Sequence, residues 1–303
     1  GNGGNLLGDG AAASRYTECR LSKIGMMLLE DIEKKCVDTR PNFDESTTEP
    51  VSLPSKFPYL LCGNNSGIAV GMSSDLVSHN FTEVMGAINY YMDHKDCTIA
   101  DLMQFIKGPD FPTGGIILGN SGIRKAYETG RGSITIRSRA VIEEEGNHSN
   151  IVITEVPYGV NTLELKNKVA ELVHNKTIEG IADYHSDLKN GIKITITLKK
   201  DANPQVILNQ LYKHTSFQTS YGIILLMLDK GVPKTLGLLD IISKYVDYQK
   251  EVITRRTQYD LDVALKRMHI LEGLKIALDN IDEVIHIIRS SKTDEESINK
   301  LMD

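Results

Sequence analysis

Apolar residues recur at three- and four-residue spacing early in the chain, beginning just after Arg20. The apolar positions of this stretch are Leu21, Ile24, Leu28 and Ile32. Such spacing places them on one face of an α-helix, while charged residues such as Glu30 occupy the other faces. The pattern therefore predicts an amphipathic helix from Arg20 onward, with Tyr16 just before or at its start.

Residues 36–66 lack this periodicity. They contain four prolines and the polar run DESTTEP, which predicts an irregular segment that leads into the compact sequence GNNSGIAVGM. The apolar face of a second helix is formed by Phe81, Val84, Met85 and Ile88. We expect His79 to cap or flank this helix. The downstream GPDFPTGG predicts a turn before a short apolar strand, Ile116–Leu118.

Alternating apolar and polar residues follow in SITIRSRAVIEEE, which predicts strands between residues 133 and 150. The positions expected on one face are Ile134, Ile136, Ser138 and Ala140. We expect the glutamates that follow to close a solvent-facing hairpin.

The next segment combines both periodicities. IVITEV predicts a strand, GIKITITL predicts another, and Pro204 is expected to open a helix. Between these strands, a helix face is formed by Leu165, Val169, Leu172 and Val173. The resulting β-α-β-β-α order predicts a split-βαβ unit and an α+β fold.

Glycine and proline nearly vanish from about Leu238 to Asp303, and helical spacing continues to the end. The apolar positions are Leu261, Leu265, Met268, Leu271, Leu274, Leu278, Ile281, Ile285 and Ile288. The steps of three and four residues predict a long helical arm of the antiparallel or coiled-coil kind.

Composition is that of a globular protein. The 303 residues are 41% hydrophobic and 24% charged, and a chain of this length can form two or three domains. The four cysteines have no CxxC spacing, so we expect reduced thiols rather than a zinc site or disulfides. Without a signal peptide or a long apolar run, the sequence predicts a soluble, cytoplasmic protein with no membrane partner. The start GNGGNLLGDG has no methionine, and we interpret the chain as a fragment.

Charge gives a weaker indication of function. A formal net charge of −6 argues against a uniformly basic nucleic-acid binder, although local patches decide contact with phosphates. The most distinctive local patch is AAASRYTECR, in which Tyr16 follows Arg15 and precedes Arg20, with Lys23 one helical turn further along. A phenol that attacks phosphorus needs a base, a metal or nearby positive charge, and an arginine can also hold the phosphate. Surface or half-buried packing is the competing interpretation of this pair.

Neither a metal nor a nucleotide motif is visible. The acidic runs at residues 143–145 and 294–296 are typical of solvated faces, and the eight histidines lack ligand spacing. GRGS at residues 130–133 is interpreted as a turn, and no phosphate-binding loop of the Walker A type is present.

Six segments, in this order, resemble the breakage-reunion region of the A subunits of bacterial type IIA topoisomerases, the family of gyrase A and topoisomerase IV A. They are GDGAAASRYTECRLSKI, LPSKFPYLLCGNNSGIAVGM, GPDFPTGG, AYETGRGSI, ITEVPYGVN and RRTQYDL. The resemblance covers essentially the whole chain. It implies that Tyr16 attacks a DNA phosphodiester and remains on the 5′ end, and that Arg15 assists by contacting the phosphate. Arg20 and Lys23 are carried along as DNA-binding candidates.

The same resemblance identifies Ile68, in SGIAVGM, as a wedge between base pairs. An apolar side chain on a tight loop can unstack a base step at a cost of roughly a few kcal/mol, which wrapped contacts repay. From the sequence alone, ordinary core packing is the competing interpretation of this residue.

The resemblance also implies the domain organisation and the partners. It predicts an α+β, multidomain fold with three parts: a winged-helix remnant at residues 1–32, a tower domain at 33–237, and the start of a coiled-coil arm at 238–303. The α+β subdomain is expected at about 150–225. Most of the winged-helix domain and the C-terminal gate would lie outside the chain. Mg²⁺ and ATP would be bound by the partner B-type subunit, gyrase B or topoisomerase IV B, in an assembly built on a homodimer of the A-type chain and double-stranded DNA.

Two local departures from the family pattern are visible. TLEL follows PYGVN where basic residues are usual, and SSDLVSHN lacks the usual paired prolines. Two alternatives to an enzyme remain at this point: a non-catalytic scaffold that bends DNA, and a module that only binds another protein.

Overall fold

The computed structural model describes residues 3–5, 10–146, 148–187 and 191–302. Its helices are α1 Lys23–Met27, α2 Tyr59–Cys62, α3 Phe81–Asp93, α4 Ile99–Leu102, α5 Ser121–Thr129, α6 Thr162–His174, α7 Pro204–His214, α8 Leu238–Asp279, α9 Ile281–Ser290 and α10 Asp294–Met302. Its strands are β1 Thr39–Pro41, β2 Thr48–Pro50, β3 Asn65–Ala69, β4 Met72–Leu76, β5 Ile116–Leu118, β6 Arg131–Arg137, β7 Arg139–Glu145, β8 His148–Glu155, β9 Ile181–Asp187, β10 Lys193–Leu198, β11 Gln218–Ile224, β12 Leu226–Asp229 and β13 Val232–Thr235. The mixture of sheets and helices confirms the α+β class.

The chain forms two compact units. The first comprises Gly1–Lys23 and Phe57–Asp247, and the second comprises Ile24–Lys56 and Tyr248–Asp303. Both units are therefore built from two separate stretches of the sequence. The division into residues 1–32, 33–237 and 238–303 stays a prediction.

A five-stranded sheet organises one part of the first unit. Its strand order is β3-β4-β11-β6-β5, and all of its pairs are antiparallel. The predicted strand Ile116–Leu118 is confirmed as the edge strand β5. Helices α3 and α5 contribute Val84, Ile88 and Tyr127 to the buried cluster of this part, so the apolar face of α3 is confirmed in its middle. Phe81, at its first position, is 52% exposed and does not belong to the core.

The second part of this unit is the predicted split-βαβ unit. Its sheet has the order β7-β8-β10-β9, so β10 lies between β8 and β9, the two strands that α6 connects. The sequence predicts segments for two of the three strands in the β-α-β-β-α order. The remaining strand is β9, Ile181–Asp187. The predicted face of α6 is confirmed, since Leu165, Val169 and Leu172 are buried and Val173 packs against the same cluster.

Asparagine side chains begin three helices of the first unit. The side chain of Asn80 accepts hydrogen bonds from two backbone N–H groups at the start of α3, and Asn161 and Asn203 do the same for α6 and α7. These bonds satisfy N–H groups that have no partner within the helix. Pro204 follows its cap at the first turn of α7, as predicted.

The prediction that Ala140 shares one face with Ile134 and Ile136 is wrong. Ile134 and Ile136 are buried in the core of the five-stranded sheet, whereas Ala140 packs against the core of the four-stranded sheet. The chain passes from one sheet to the other at Ser138, which is fully buried. The alternation of apolar and polar residues cannot reveal this crossover, because the same alternation continues without a break from β6 into β7. Beyond it, Glu143 and Glu144 are exposed near the end of the β7–β8 hairpin, as predicted.

The helix predicted from Arg20 is also wrong in length. Only Lys23–Met27 is α-helical, and the chain turns at Asp31 and Lys35, whose φ angles are 67° and 54°. Leu21 and Ile24 are 62% and 61% exposed, so the apolar face of the predicted helix gains little from tertiary packing. A short helix without such packing is marginal in water.

The second unit contains a short hairpin where the sequence predicted irregular structure. β1 and β2 pair in antiparallel register, with Pro41 and Pro50 at the ends of their strands. Proline is tolerated at strand ends, and for that reason a proline-rich composition misled the prediction. In the same unit, Tyr248 of α8 donates a hydrogen bond to the carbonyl oxygen of Leu53 at 2.8 Å, which attaches the segment after β2 to the helix.

Three cations surround Asp31 in the second unit. Its carboxylate oxygens lie 3.1 Å from Lys34 Nζ, 3.4 Å from Lys56 Nζ and 3.2 Å from Arg256 Nη1. The hydrogen bond from Lys34, followed by the one from Lys56, holds the pKa of Asp31 below its usual range. Since Arg256 belongs to α8, its ion pair with Asp31 joins the turn at Asp31 to the long helix.

Helix α8 is 42 residues long, which confirms the continuous helical stretch predicted from Leu238. It ends at Asp279, and α9 and α10 follow after short breaks. The apolar residues predicted along this stretch are between 40% and 69% exposed in this chain. Their pairing in a coiled coil stays a prediction.

A close approach between α5 and β6 depends on glycine. A Cβ atom added at Gly122 would overlap the carbonyl oxygen of Ser133. We expect Gly122→Ala to lower the free energy of unfolding by about 1–3 kcal/mol, because the backbones would have to separate. Denaturant unfolding measures this change. Gly222→Ala is the matched control: Gly222 pairs with Ser133 across the sheet but has open space for a Cβ. Equal losses in both variants would contradict the packing explanation.

Candidate functional site

Tyr16 lies at the end of a short 3-10 turn, Ser14–Tyr16. Its backbone N–H donates to the carbonyl oxygen of Ala13 at 2.9 Å, and both the N–H and the hydroxyl of Thr17 donate to Ser14 O. The turn therefore has its own hydrogen bonds. Since α1 begins only at Lys23, Tyr16 lies in a separate turn ahead of the helix. Its side chain is 68% exposed, which leaves the phenol accessible to a large substrate.

Arg15 lies against the ring of Tyr16. The central carbon of its guanidinium is 4.7 Å from the ring centroid, within the range of a cation–π contact. Arg15 is exposed as well. The predicted pair is thus brought together at the surface, which excludes half-buried packing and leaves surface packing as the competing interpretation. An exposed guanidinium beside a phenol can bind a phosphate through two N–H groups while the phenolic oxygen faces phosphorus.

The other two cations of the motif are less closely associated with Tyr16. Arg20 Nη2 lies 3.6 Å from Glu18 Oε2, and both side chains are almost fully exposed. Lys23 is exposed at the first position of α1. In the described part of the chain, neither side chain makes a hydrogen bond, ion pair or ring contact with Tyr16. Their role as DNA contacts stays a prediction.

Ile68 lies near the tip of the β3–β4 hairpin. It pairs with Ser73, and the next pair, Ala69 with Met72, closes a two-residue turn. Gly71 occupies the second turn position with a φ of 79°, which glycine adopts without the cost of a Cβ. Ile68 is 95% exposed, so the interpretation as core packing is wrong. A large apolar side chain presented to solvent on a narrow hairpin can insert between stacked bases.

Val70 is a candidate that sequence reasoning missed. It occupies the first position of the same turn and is fully exposed. The preference for polar or glycine residues in two-residue turns is a signal that could have singled it out. The hairpin therefore presents two β-branched apolar side chains within three positions.

His79 and Tyr127 form a buried pair below this hairpin that the sequence also did not reveal. Nε2 of His79 lies 2.8 Å from the hydroxyl of Tyr127, and Nδ1 lies 2.8 Å from the carbonyl oxygen of Leu61. His79 comes directly before the cap of α3, so the prediction that it flanks a helix is confirmed. Burial lowers the pKa of His79 to about 4, and it outweighs the opposite effects of the Leu61 carbonyl and of Asp110.

This lowered pKa predicts acid sensitivity. As the pH falls below 6.5, an unfolded chain binds a proton on His79 that the folded chain refuses until about pH 4. The free energy of unfolding should therefore fall across this window by up to about 3 kcal/mol, with no contribution above it. Unfolding curves at pH 7 and pH 4.5 measure the loss. His79→Gln, which cannot titrate, should show a smaller loss, and an equal loss in both proteins would contradict this origin.

The structure offers no metal centre in the residues that it describes. No group of three or more histidine, cysteine, aspartate or glutamate side chains is arranged to hold an ion there. Glu18, the described carboxylate nearest to Tyr16 in the sequence, pairs with Arg20. Within the same described ranges, no helix has the length and apolar character needed to cross a membrane.

A sequence model of the family of DNA gyrase and topoisomerase IV A subunits matches residues 1–303, and the chain belongs to this family. It is 52% identical over 305 residues to the DNA gyrase A subunit of Clostridium acetobutylicum, covering 100% of this chain and 37% of that protein. It is 51% identical over 304 residues to the DNA gyrase A subunit of Staphylococcus aureus strain MRSA252, covering 99% of this chain and 34% of that protein. The chain thus spans about a third of the length of these curated relatives.

Proposed function

We propose that this chain carries the DNA-cleaving tyrosine of a type IIA topoisomerase and that Tyr16 is the nucleophile. The observation that carries the proposal is the exposed phenol of Tyr16 with the Arg15 guanidinium 4.7 Å from its ring. The relatives support it, since they are named as A subunits of DNA gyrase.

The proposed reaction is a transesterification. The phenolic oxygen of Tyr16 attacks the phosphorus of a DNA phosphodiester and loses its proton. The bond from phosphorus to the 3′ oxygen breaks, and that oxygen takes up a proton to become a 3′ hydroxyl. The 5′ phosphate is then esterified to Tyr16. Religation is the reverse reaction, so the energy of the phosphodiester is conserved in the intermediate.

Arg15 supplies positive charge at this centre. Its guanidinium can donate two hydrogen bonds to the non-bridging oxygens of the phosphate, where negative charge develops during attack. The exposure of Arg15 leaves these donors available. Arg20 and Lys23 are proposed to contact the DNA backbone, since both are exposed in the residues that follow Tyr16.

Ile68 is proposed to bend the DNA that Tyr16 cleaves. Its 95% exposure near a hairpin tip supports the role of a wedge. Unstacking one base step costs roughly a few kcal/mol, and the bend lets more of the duplex reach the protein surface.

The other functions of the assembly, binding of Mg²⁺ and of ATP, are assigned to a partner subunit. We propose that the chain acts as a homodimer on double-stranded DNA together with a gyrase B or topoisomerase IV B subunit, which binds Mg²⁺ and ATP for strand passage. No step of the reaction is assigned to a metal in this chain, because its described residues offer no matching ligand set. The proposal includes a cytoplasmic, nucleoid-associated location, a winged-helix remnant at residues 1–32, a tower domain at 33–237 and the start of a coiled-coil arm at 238–303.

The decisive experiment combines the full-length protein, its B-type partner, supercoiled DNA and Mg²⁺. After rapid denaturation and nuclease digestion, mass spectrometry should find a nucleotide esterified to the peptide that contains Tyr16. A denaturation-resistant adduct on a different residue would refute the site.

The second candidate function is a non-catalytic scaffold that bends DNA, which the exposure of Ile68 by itself would favour. DNA bending without any covalent adduct would support the scaffold in place of the enzyme.

A further inference from the structure

His79 lies at the base of the hairpin that presents Ile68. It follows β4 by three positions and precedes Asn80, the cap of α3. Its side chain is only 4% exposed, and it is surrounded by the core of the five-stranded sheet. A histidine that is this deeply buried, with neighbours on both ring nitrogens, is held in one orientation.

The two ends of the hairpin segment meet at one carbonyl oxygen. The backbone N–H of His79 donates to Leu61 O at 2.9 Å, and Nδ1 of the same residue lies 2.8 Å from that oxygen. Leu61 is in α2, just before β3, and the two residues are 18 positions apart. These bonds therefore close a loop that contains the entire β3–β4 hairpin.

The partners of the ring determine its tautomer. A carbonyl oxygen can only accept, so Nδ1 must carry the hydrogen and donate it to Leu61. In the neutral ring, Nε2 is then an acceptor, and the hydroxyl of Tyr127 donates to it at 2.8 Å. Tyr127 lies on α5 and is completely buried. The ring thus links α2, the end of β4 and α5.

Leu76 at the end of β4 is buried in the core, whereas the residues of β3 and β4 nearer the tip are exposed or half-buried. In the described residues, β4 joins β11 through the pair of Asp75 with Ile224. The hydroxyl of Tyr221 also donates to Asp75 Oδ1 at 2.9 Å. Ile68 lies beyond these contacts, and three residues of strand extend about 10 Å from the start of β3. A rotation at the base therefore displaces Ile68, by roughly 2 Å for a rotation of about 10° on this length of strand.

We infer that His79 is a positioning residue: held by Tyr127, it fastens the base of the β3–β4 hairpin and so sets where Ile68 enters DNA. The inference rests on the proposed role of Ile68 as a wedge. It adds a residue that lies inside the core, with no contact to DNA required. If the hairpin were mobile, ordering it on binding would reduce the free energy gained from the contact of Ile68 with DNA. A hairpin that is already held in place avoids this cost.

The test removes the hydroxyl oxygen through which Tyr127 bonds to His79. Tyr127→Phe deletes the donor to Nε2 while keeping the ring in the core. Its matched control is Tyr91→Phe, because Tyr91 is a buried tyrosine of the same cluster whose hydroxyl bonds to Ser243 at 2.7 Å, away from the hairpin. Hydrogen exchange of the amides of residues 65–76 is measured without DNA. DNA bending by the full-length protein with its B-type partner is measured by energy transfer between the duplex ends.

We expect Tyr127→Phe to speed exchange in the hairpin about five-fold, the change that loss of one hydrogen bond produces. The fraction of bent complexes should fall with it, and Tyr91→Phe should change neither quantity. The inference is overturned if Tyr127→Phe leaves hairpin exchange unchanged, or if Tyr91→Phe has the same effect on exchange and bending.

Replacements of His79 itself provide a second measurement. His79→Gln keeps one donor and one acceptor, and His79→Leu keeps neither. Partial recovery of hairpin protection and bending in the glutamine variant, relative to the leucine variant, is expected. Equal behaviour of the two would show that the hydrogen bonds do not matter and would overturn the inference.

Failure of the wedge proposal gives a different result. In that case Ile68→Ala bends DNA normally, while the exchange measurement, which uses no DNA, still decides whether His79 fastens the hairpin.

Discussion

Replacing Tyr16 with phenylalanine should abolish the covalent protein–DNA adduct. The substitution removes only the phenolic oxygen, which is the atom proposed to form the bond to phosphorus. The ring is 68% exposed, so the fold should be unaffected. Surface substitutions usually change the free energy of unfolding by less than about 0.5 kcal/mol. The assay is DNA cleavage by the full-length protein with its B-type partner and Mg²⁺, stopped with detergent and resolved by electrophoresis.

Tyr59→Phe is a suitable control for this loss. Tyr59 is also exposed, at 43%, and it lies in the first compact unit. It should cleave DNA like the unmodified protein. DNA binding by Tyr16→Phe should persist, because its cationic neighbours remain. A normal adduct in Tyr16→Phe would rule out this residue as the nucleophile, and a lost adduct in both variants would point to a general defect.

The second large effect is expected for Ile68→Ala. If Ile68 acts as the proposed wedge, its truncation removes the apolar contact that compensates for base unstacking, which is worth roughly a few kcal/mol. DNA bending should become undetectable or rare, and cleavage should fall roughly 10- to 100-fold, since each 1.4 kcal/mol corresponds to a factor of ten. Bending is measured by energy transfer and cleavage by adduct formation. Thermal unfolding should be unchanged, because Ile68 has almost no contact with the core.

Leu228→Ala provides the matched control for Ile68→Ala. Leu228 lies on the β12–β13 hairpin, which is also closed by a two-residue turn with a left-handed glycine, Gly231, and it is 71% exposed. Loss of bending in Ile68→Ala alone supports a specific wedge. If both variants bend DNA equally well, or lose bending equally, Ile68 has no special role.

Local sequence signals predicted several elements well. The strand Ile116–Leu118, the helix opened by Pro204 and the split-βαβ order all follow from turn residues, caps and apolar periodicity. These signals act within a few residues and do not depend on the rest of the fold. The helix predicted from Arg20 failed because its apolar face found too little to pack against. The β1–β2 hairpin was missed because its prolines sit at strand ends.

The sequence alone determined the features whose partners are close together in the chain. Arg15 and Tyr16 are neighbours in the chain, and the short 3-10 turn Ser14–Tyr16 holds the guanidinium against the ring. Asparagine caps likewise bind backbone two and three residues ahead.

Only the tertiary structure decided the features that depend on distant residues. Whether Ile68 lies in the core or at the surface depends on what covers it, and the fold leaves it exposed. The link between His79 and Tyr127 spans 48 positions, and no local pattern signals it. The physical reason is that burial and long-range hydrogen bonds are set by the packing of whole elements, whereas periodicity and capping are set by the backbone of each element alone.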